Sequence, residues 1–159
     1  MNKKKITHFG YEAITKGEKG KKVNAVFDSV ATNYDLMNNL MSLGLHHVWK
    51  KILIETTTLK PKSKILDIAA GTADISIEFL KKNKNFEVFH TDINLSMLKE
   101  GKKKIINQGK ITPSILCDAE ALPFPNNYFD CVTIGFGLRN MTNKERALKE
   151  IYRVLSPGG

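Results

Sequence analysis

The sequence predicts an α/β fold with a doubly wound, mostly parallel sheet, and three observations carry that expectation. The short apolar run Ile65, Leu66, Ile68 breaks abruptly into the small residues Ala69, Ala70, Gly71 and Ala73, as a buried parallel strand does on entering a tight turn before a helix. Further short apolar runs, Phe86 to Thr91, Thr112 to Cys117 and Asp130 to Gly135, recur along the chain and read as three more strands. Between them Ile75, Phe79 and Leu80, and later Leu98, Gly101 and Ile105, fall at helical spacing. The corner after Ile68 is the organising feature, because open α/β sheets bind ligands at the carboxyl ends of their strands.

Taken in order, the 159 residues and 42% apolar content suit one globular domain with a real core. We divide it into a basic, flexible tail (1–22), a helical cap and substrate-side segment (23–60) and a sheet core (61–159). The formal net charge of +9 is uneven: residues 1–22 hold seven Lys and two Glu, a net of +5, which leaves +4 for the rest. A Lys-rich, Gly-interrupted start reads as a solvated tail, or as a segment drawn to an anionic membrane surface. Nucleic-acid binding ranks below both, since no basic platform interleaved with aromatics and no helix-turn-helix pattern is present. The two cysteines, Cys117 and Cys131, have no C-x-x-C spacing, so they read as small core residues rather than a metal site or disulfide framework. A cytoplasmic location is expected, since no signal-peptide pattern and no run long enough to span a bilayer is seen.

Val23, Val26, Phe27 and Val30 recur at helical spacing, as do Leu45, Val48, Trp49, Ile52 and Leu53, so two helices are expected before the first sheet strand. The stretch between them mixes polar residues with Met and Leu without a clean period; a lid over the substrate and an irregular helical cap both fit. At the corner, small side chains let the backbone approach a ligand, and Gly71 is free to take a positive φ. Asp67, just inside the strand end, is expected to point at the same crevice. The glycine-rich pyrophosphate motif G-x-G-x-x-G is absent, and Asp74 in the first helical turn would repel a phosphate. A ligand with a ribose and a positive charge but no phosphate fits better, and S-adenosylmethionine is such a ligand.

Asp92 ends the second strand 25 positions after Asp67, where a carboxylate accepts from ribose hydroxyls; the alternative is that Asp92, with Asn94 and Ser96, caps the next helix. Lys102, Lys103 and Lys104 read as a solvated helix face. The third strand delivers Asp118 and Ala119, whose carboxylate and main chain suit an adenine edge, or which simply form a turn before Leu122-Pro123-Phe124-Pro125. Arg139 and Asn140 follow the fourth strand. Thr142 with Glu145 makes a capping-box pattern for a helix buried through Leu148, Ile151, Tyr152 and Leu155.

These motifs together, Leu66-Asp67-Ile68-Ala69-Ala70-Gly71-Thr72-Ala73-Asp74, Thr91-Asp92, Asp118 to Phe124 and Arg153 to Gly159, resemble the class I S-adenosylmethionine-dependent methyltransferases, with their Rossmann-like fold. Phe27-Asp28-Ser29-Val30-Ala31, Tyr34-Asp35, Met37-Asn38, Met41-Ser42-Leu43-Gly44, Trp49-Lys50 and Phe136 to Asn140 narrow the resemblance to the menaquinone/ubiquinone biosynthesis C-methyltransferases, typified by demethylmenaquinone methyltransferase. The resemblance implies that Thr72, Asp92, Asp118 and Ala119 contact S-adenosylmethionine, while Asp67 and Gly71 shape its pocket. It implies methylation of a ring carbon of a reduced prenylated quinone, without a metal. For that reaction His46 and Tyr34 are candidate general bases, and Arg139 and Asn140 candidates to orient a quinol oxygen. The substrate's prenyl tail would make a basic N-terminus near a membrane useful.

Three departures from the family pattern stand out. Ala70 and Ala73 replace common glycines, so the loop is expected to use ordinary backbone angles; Gly135 replaces a common Ser; and the family's sheet has seven strands, of which four precede Gly159. The C-terminal strands are therefore expected to be missing. Two other classes bear on the reading: a non-catalytic S-adenosylmethionine-binding fragment stays open, and a nicotinamide-dependent oxidoreductase lacks its phosphate motif.

Overall fold

The computed structural model describes residues 6–9 and 12–159. Its centre is a parallel four-stranded sheet of β3 (Lys64–Ile68), β4 (Glu87–Asp92), β5 (Ser114–Leu116) and β6 (Cys131–Ile134), in the order β5-β4-β3-β6. Ile65 lies opposite Val88 on one side and Cys131 on the other, so the four expected strands form one sheet with β3 inside it. The helices α4 (Asp74–Lys82), α5 (Leu95–Asn107) and α6 (Lys144–Val154) complete the core.

Alternation along β3 divides the interior. Ile65 joins Ile75, Ile77, Phe79, Val88 and Ile105 in one buried cluster, while Leu66 and Ile68 join Ala119, Leu122, Phe129, Ala147 and Val154 in another. Both faces of the sheet are thus covered, as a parallel sheet requires. In the second cluster Phe129 meets the rings of Phe89, Phe124 and Tyr128 edge-on, with centroids 4.9–5.2 Å away. The Arg153 guanidinium donates to the carbonyls of Leu122 and Phe124, which pins the proline-fixed connection against α6.

The N-terminal third departs from expectation. An antiparallel pair, β1 (Ile6–Phe9) and β2 (Glu12–Thr15), leads into α1 (Lys16–Val30), so the first helix starts seven residues before Val23, inside the segment read as a tail. The reason is a capping box: the Thr15 hydroxyl accepts from the Glu18 N–H, and the Glu18 carboxylate accepts from the Thr15 N–H at 2.9 Å. The remainder of the expected tail, residues 1–5, 10 and 11, lies outside the described residues. The aperiodic stretch is a 3₁₀ turn, Ala31–Asn33, followed by helix α2 (Tyr34–Ser42); Leu43 and Gly44 then turn with positive φ into α3 (Leu45–Thr56). At α6 the cap is Asn143, whose side chain accepts from Arg146 N–H, and not Thr142. Cys117 and Cys131 are free and half-buried, and burial pushes the Cys117 thiol up to about 11. Among the described residues no helix is long and apolar enough to cross a membrane.

Candidate cofactor site

The corner after β3 is bound by hydrogen bonds to β4 and the turn beyond it. Ala70 N–H donates to the Thr91 carbonyl at 2.9 Å, and the Thr91 hydroxyl donates to the Asp67 carbonyl. Gly71 N–H donates to Asp92 Oδ2, Asn94 N–H donates to Asp92 Oδ1, and the His90 ring lies 3.0 Å from the Gly71 carbonyl through Nε2. These bonds bend the chain through left-handed angles at Ala69 (φ 50°), Gly71 (φ 56°) and Ala73 (φ 68°). The expectation of ordinary angles holds at Ala70 and fails at Ala73, and Ala69 is left-handed as well, because the bonds of the corner, from Ala70 to Thr91 and from Ala73 to the Ala70 carbonyl, outweigh a local strain of about 1–2 kcal/mol per residue. Replacing the half-buried Ala69 by Gly should relieve this strain. We expect a stabilisation of about 1 kcal/mol, read as a rise of about 2–4 °C in the thermal midpoint.

Asp67 is fully buried and does not point into the crevice. It lies beneath it, accepting from the Ser76 hydroxyl at 2.7 Å and the Thr133 hydroxyl at 3.0 Å, and so ties α4 and β6 to β3. Burial raises its pKa to about 6 against the opposing pull of those two hydroxyls. The native state therefore holds this proton more tightly than the unfolded chain, and the contribution of Asp67 to stability falls as pH rises from about 4 to about 6. In denaturant titrations across that window, Asp67→Asn should lose less stability with rising pH than the unsubstituted chain; parallel curves would refute a buried charge at this position.

A cavity of about 250 Å³ opens above the corner. It is lined by Ala69 to Thr72 and Asp74 below, by Tyr34, Asn38, Met41, Ser42, His46, Trp49 and Lys50 from α2 and α3, and by Gly135, Phe136 and Arg139 after β6. The fold thus brings Tyr34, His46, Gly71, Thr72 and Arg139 to one cavity. Asp92, Asp118, Ala119 and Asn140 lie outside its lining. Asp92 has 8% of its surface exposed, and burial raises its pKa despite hydrogen bonds from the Asn94 and Gly71 N–H groups. The cap of α5 is Asn94, whose side chain accepts from Met97 N–H. Asp118 accepts from Glu120 N–H at 2.8 Å, as its turn reading has it, and Ala119 packs beside Leu66 in the core.

His46 is buried and its pKa is lowered, first by burial and then by Lys50 and His47. Ser42 Oγ lies 2.8 Å from the Asn38 carbonyl and 2.6 Å from His46 Nδ1; when the hydroxyl donates to that carbonyl, Nδ1 carries the ring proton and Nε2 is the acceptor. His46, His47 and Asp74 hold donor atoms within 4.8 Å of one another, yet both Asp74 oxygens are taken by Lys50 and Lys104, so a cation there would displace two ammonium groups. At Gly135 a Cβ would lie 2.5 Å from Ile75 Cδ1, so a serine in its place needs that methyl to turn aside.

The sequence reading missed Lys104, which it placed on a solvated face with Lys102 and Lys103. A signal was available: Gly101 and Ile105 are buried, and position 104 flanks their stripe on the same face of the helix. It also assigned no role to Asp35 or Lys50, although both lie within quoted motifs.

A Rossmann-like sheet with a phosphate-free corner under a helical cap is the architecture of class I S-adenosylmethionine-dependent methyltransferases. The solved structure of such a methyltransferase from Aquifex aeolicus matches the fold with a TM-score of 0.68 at 20% identity, covering 82% of this chain and 68% of that one. The [4+2]-cyclase SpnF matches with 0.67 at 25% identity, covering 71% and 42%, so the fold alone does not specify one reaction. The sequence model of the ubiE/COQ5 methyltransferase family matches residues 15–159, and the chain belongs to that family. It is 57% identical over 154 residues to the ubiquinone/menaquinone biosynthesis C-methyltransferases UbiE of Burkholderia mallei, Burkholderia vietnamiensis and Burkholderia thailandensis. The alignment covers 96% of this chain and 63% of those relatives, so the chain spans under two thirds of their length.

Proposed function

We propose that this chain supplies the cofactor-binding part and part of the substrate pocket of an S-adenosylmethionine-dependent C-methyltransferase acting on a reduced prenylated quinone. The observation that carries the reading is the corner itself: a loop without a phosphate motif, held by Asp92 beneath a cavity that Gly71 and Thr72 line, in a chain 57% identical to quinone C-methyltransferases. Small side chains and a positive φ at Gly71 admit a ligand to the backbone of the loop.

In this reading Gly71 and Thr72 meet the methionine half in the cavity, Asp92 accepts from the ribose hydroxyls with its remaining lone pairs, and Asp118 with the Ala119 main chain receives the adenine edge. When bound, the cofactor supplies an electrophilic methyl group. His46 Nε2 accepts the quinol proton so that charge reaches the ring carbon, with Tyr34 as the other candidate base. Arg139, with Asn140 behind it, orients the quinol oxygen, and the cap holds acceptor and donor in line, which supplies most of the rate. Demethylmenaquinol is the first substrate to test and the ubiquinone-pathway quinol the second. A peripheral position at the cytoplasmic membrane face, through the basic N-terminus, belongs to the same reading, supported by the substrate's apolar tail and by Leu40, Met41 and Leu43, which are 76–87% exposed, Met41 also lining the cavity.

Titration calorimetry tests the cofactor and methyl transfer from labelled S-adenosylmethionine tests the acceptor. We expect S-adenosylmethionine to bind and NADH to give no heat; binding of NADH alone would overturn the reading. Cofactor binding without transfer to either quinol would support the non-catalytic alternative.

A further inference from the structure

We propose that Lys104 is the positioning residue of an ionic clasp that holds the cap helix α2 onto the cofactor loop. Its ammonium donates to Asp35 Oδ2 of α2 at 2.6 Å and to Asp74 Oδ1 at the start of α4. Asp35 Oδ1 accepts from the Thr72 hydroxyl at 2.6 Å, and Asp74 Oδ2 accepts from Lys50 of α3 at 2.5 Å. Two carboxylates and two ammonium groups therefore alternate without net charge, and every oxygen of the carboxylates has a donor.

The clasp matters because α2 has little else to hold it down. None of its residues is buried, and Leu36, Leu40 and Met41 are largely exposed, so apolar packing contributes little to its place. Its other side-chain hydrogen bonds to another helix, Ser42 to His46 and Asn39 to His47, reach α3, and the Tyr34 ring lies 6.0 Å from that of Phe27 in α1. Yet α2 carries Tyr34, Asn38 and Met41 of the cavity wall. Asp35 joins that wall to the loop, and Lys104 locks Asp35 in the orientation that receives Thr72. Burial alone would raise the Asp74 pKa and lower that of Lys104, but their mutual hydrogen bonds and charges, with those of Lys50 and Asp35, reverse both directions. Both groups stay ionised across neutral pH, as a clasp must.

The effect on ligand affinity rests on the reading of Gly71 and Thr72 as the cofactor loop; the effect on α2 does not. Hydrogen exchange of the 159-residue chain separates the two. In Lys104→Met the amides of residues 34–42 should exchange about tenfold faster while those of β3 and β4 keep their protection, and Lys104→Arg should restore the cap. Asp35→Asn, which leaves α5 intact, should give the same pattern, and the double variant should add nothing to either single one. S-adenosylmethionine affinity should fall about tenfold in Lys104→Met and recover in Lys104→Arg. Unchanged exchange over 34–42 in both single variants, or additive effects in the double one, would overturn the clasp. If the unsubstituted chain bound no S-adenosylmethionine while exchange responded as stated, the clasp would stand and the cofactor reading would fall.

Discussion

The Asp92→Ala chain should lose S-adenosylmethionine binding by at least about a hundredfold in calorimetry, and should also unfold at lower denaturant. Two effects of one carboxylate combine. Each of its oxygens accepts a backbone N–H, from Gly71 and from Asn94, in a position only 8% exposed. Alanine leaves those buried donors without an acceptor, at about 1–3 kcal/mol each, and frees Gly71 from the geometry that opens the corner. In the proposed reading the same substitution also removes the charged acceptor for the ribose hydroxyls, whose hydrogen bonds would contribute roughly 1.5–3 kcal/mol. Because burial raises the Asp92 pKa, acid should mimic the substitution: affinity in the unsubstituted chain should decline as pH falls and the carboxylate protonates. An Asp92→Ala chain that folds and binds with unchanged affinity would remove Asp92 from the cofactor site.

Why the corner could be read from sequence while the cap could not follows from how each is held. Ile65, Leu66 and Ile68 are buried on both faces of the sheet, so their apolar run is a local record of a tertiary fact. The abrupt change to small residues after Ile68 marks the turn in the same way. Asp67 was harder: alternation places it on the face that meets Ser76 of α4, but whether that face is crevice or foundation depends on the helix packed against it. The left-handed angles at Ala69 and Ala73 have no signature in alanine at all: the first sits beside the bond from Ala70 to Thr91 across the sheet, the second closes a turn back onto the Ala70 carbonyl. Thr15 and Glu18 did carry a legible capping box, obscured by the surrounding lysines and glycines. Thr142 offered the same pattern falsely, with the true cap one residue on. Lys104 shows the remaining limit. Its neighbours Lys102 and Lys103 share its chemistry, and the flank of the Gly101 and Ile105 stripe marks position 104 without showing that Asp35, 69 positions away, and Asp74 meet it there.

Gly101→Val should cost about 3 kcal/mol in denaturant unfolding and weaken S-adenosylmethionine binding together with it. A Cβ at position 101 would lie 2.6 Å from His90 Cε1 and 2.7 Å from the Gly71 carbonyl oxygen. Neither neighbour can give way cheaply. His90 is fully buried, and burial lowers its pKa, which leaves a neutral ring between Ser114 Oγ at 3.2 Å and the Gly71 carbonyl at 3.0 Å. The carbonyl belongs to the residue whose N–H is held by Asp92. Either α5 backs away from the sheet, opening space around Ile105, or Gly71 moves and takes the corner with it. The sign of the smaller substitution discriminates between causes. Helix propensity alone would make Gly101→Ala stabilising by about 1 kcal/mol, whereas the close approach makes it destabilising. A loss of stability with Ala, deeper with Val and matched by a loss of affinity, would establish that α5 is seated directly on the loop after β3 and that this loop serves the ligand; a gain with Ala would mean that the helix stands off from it.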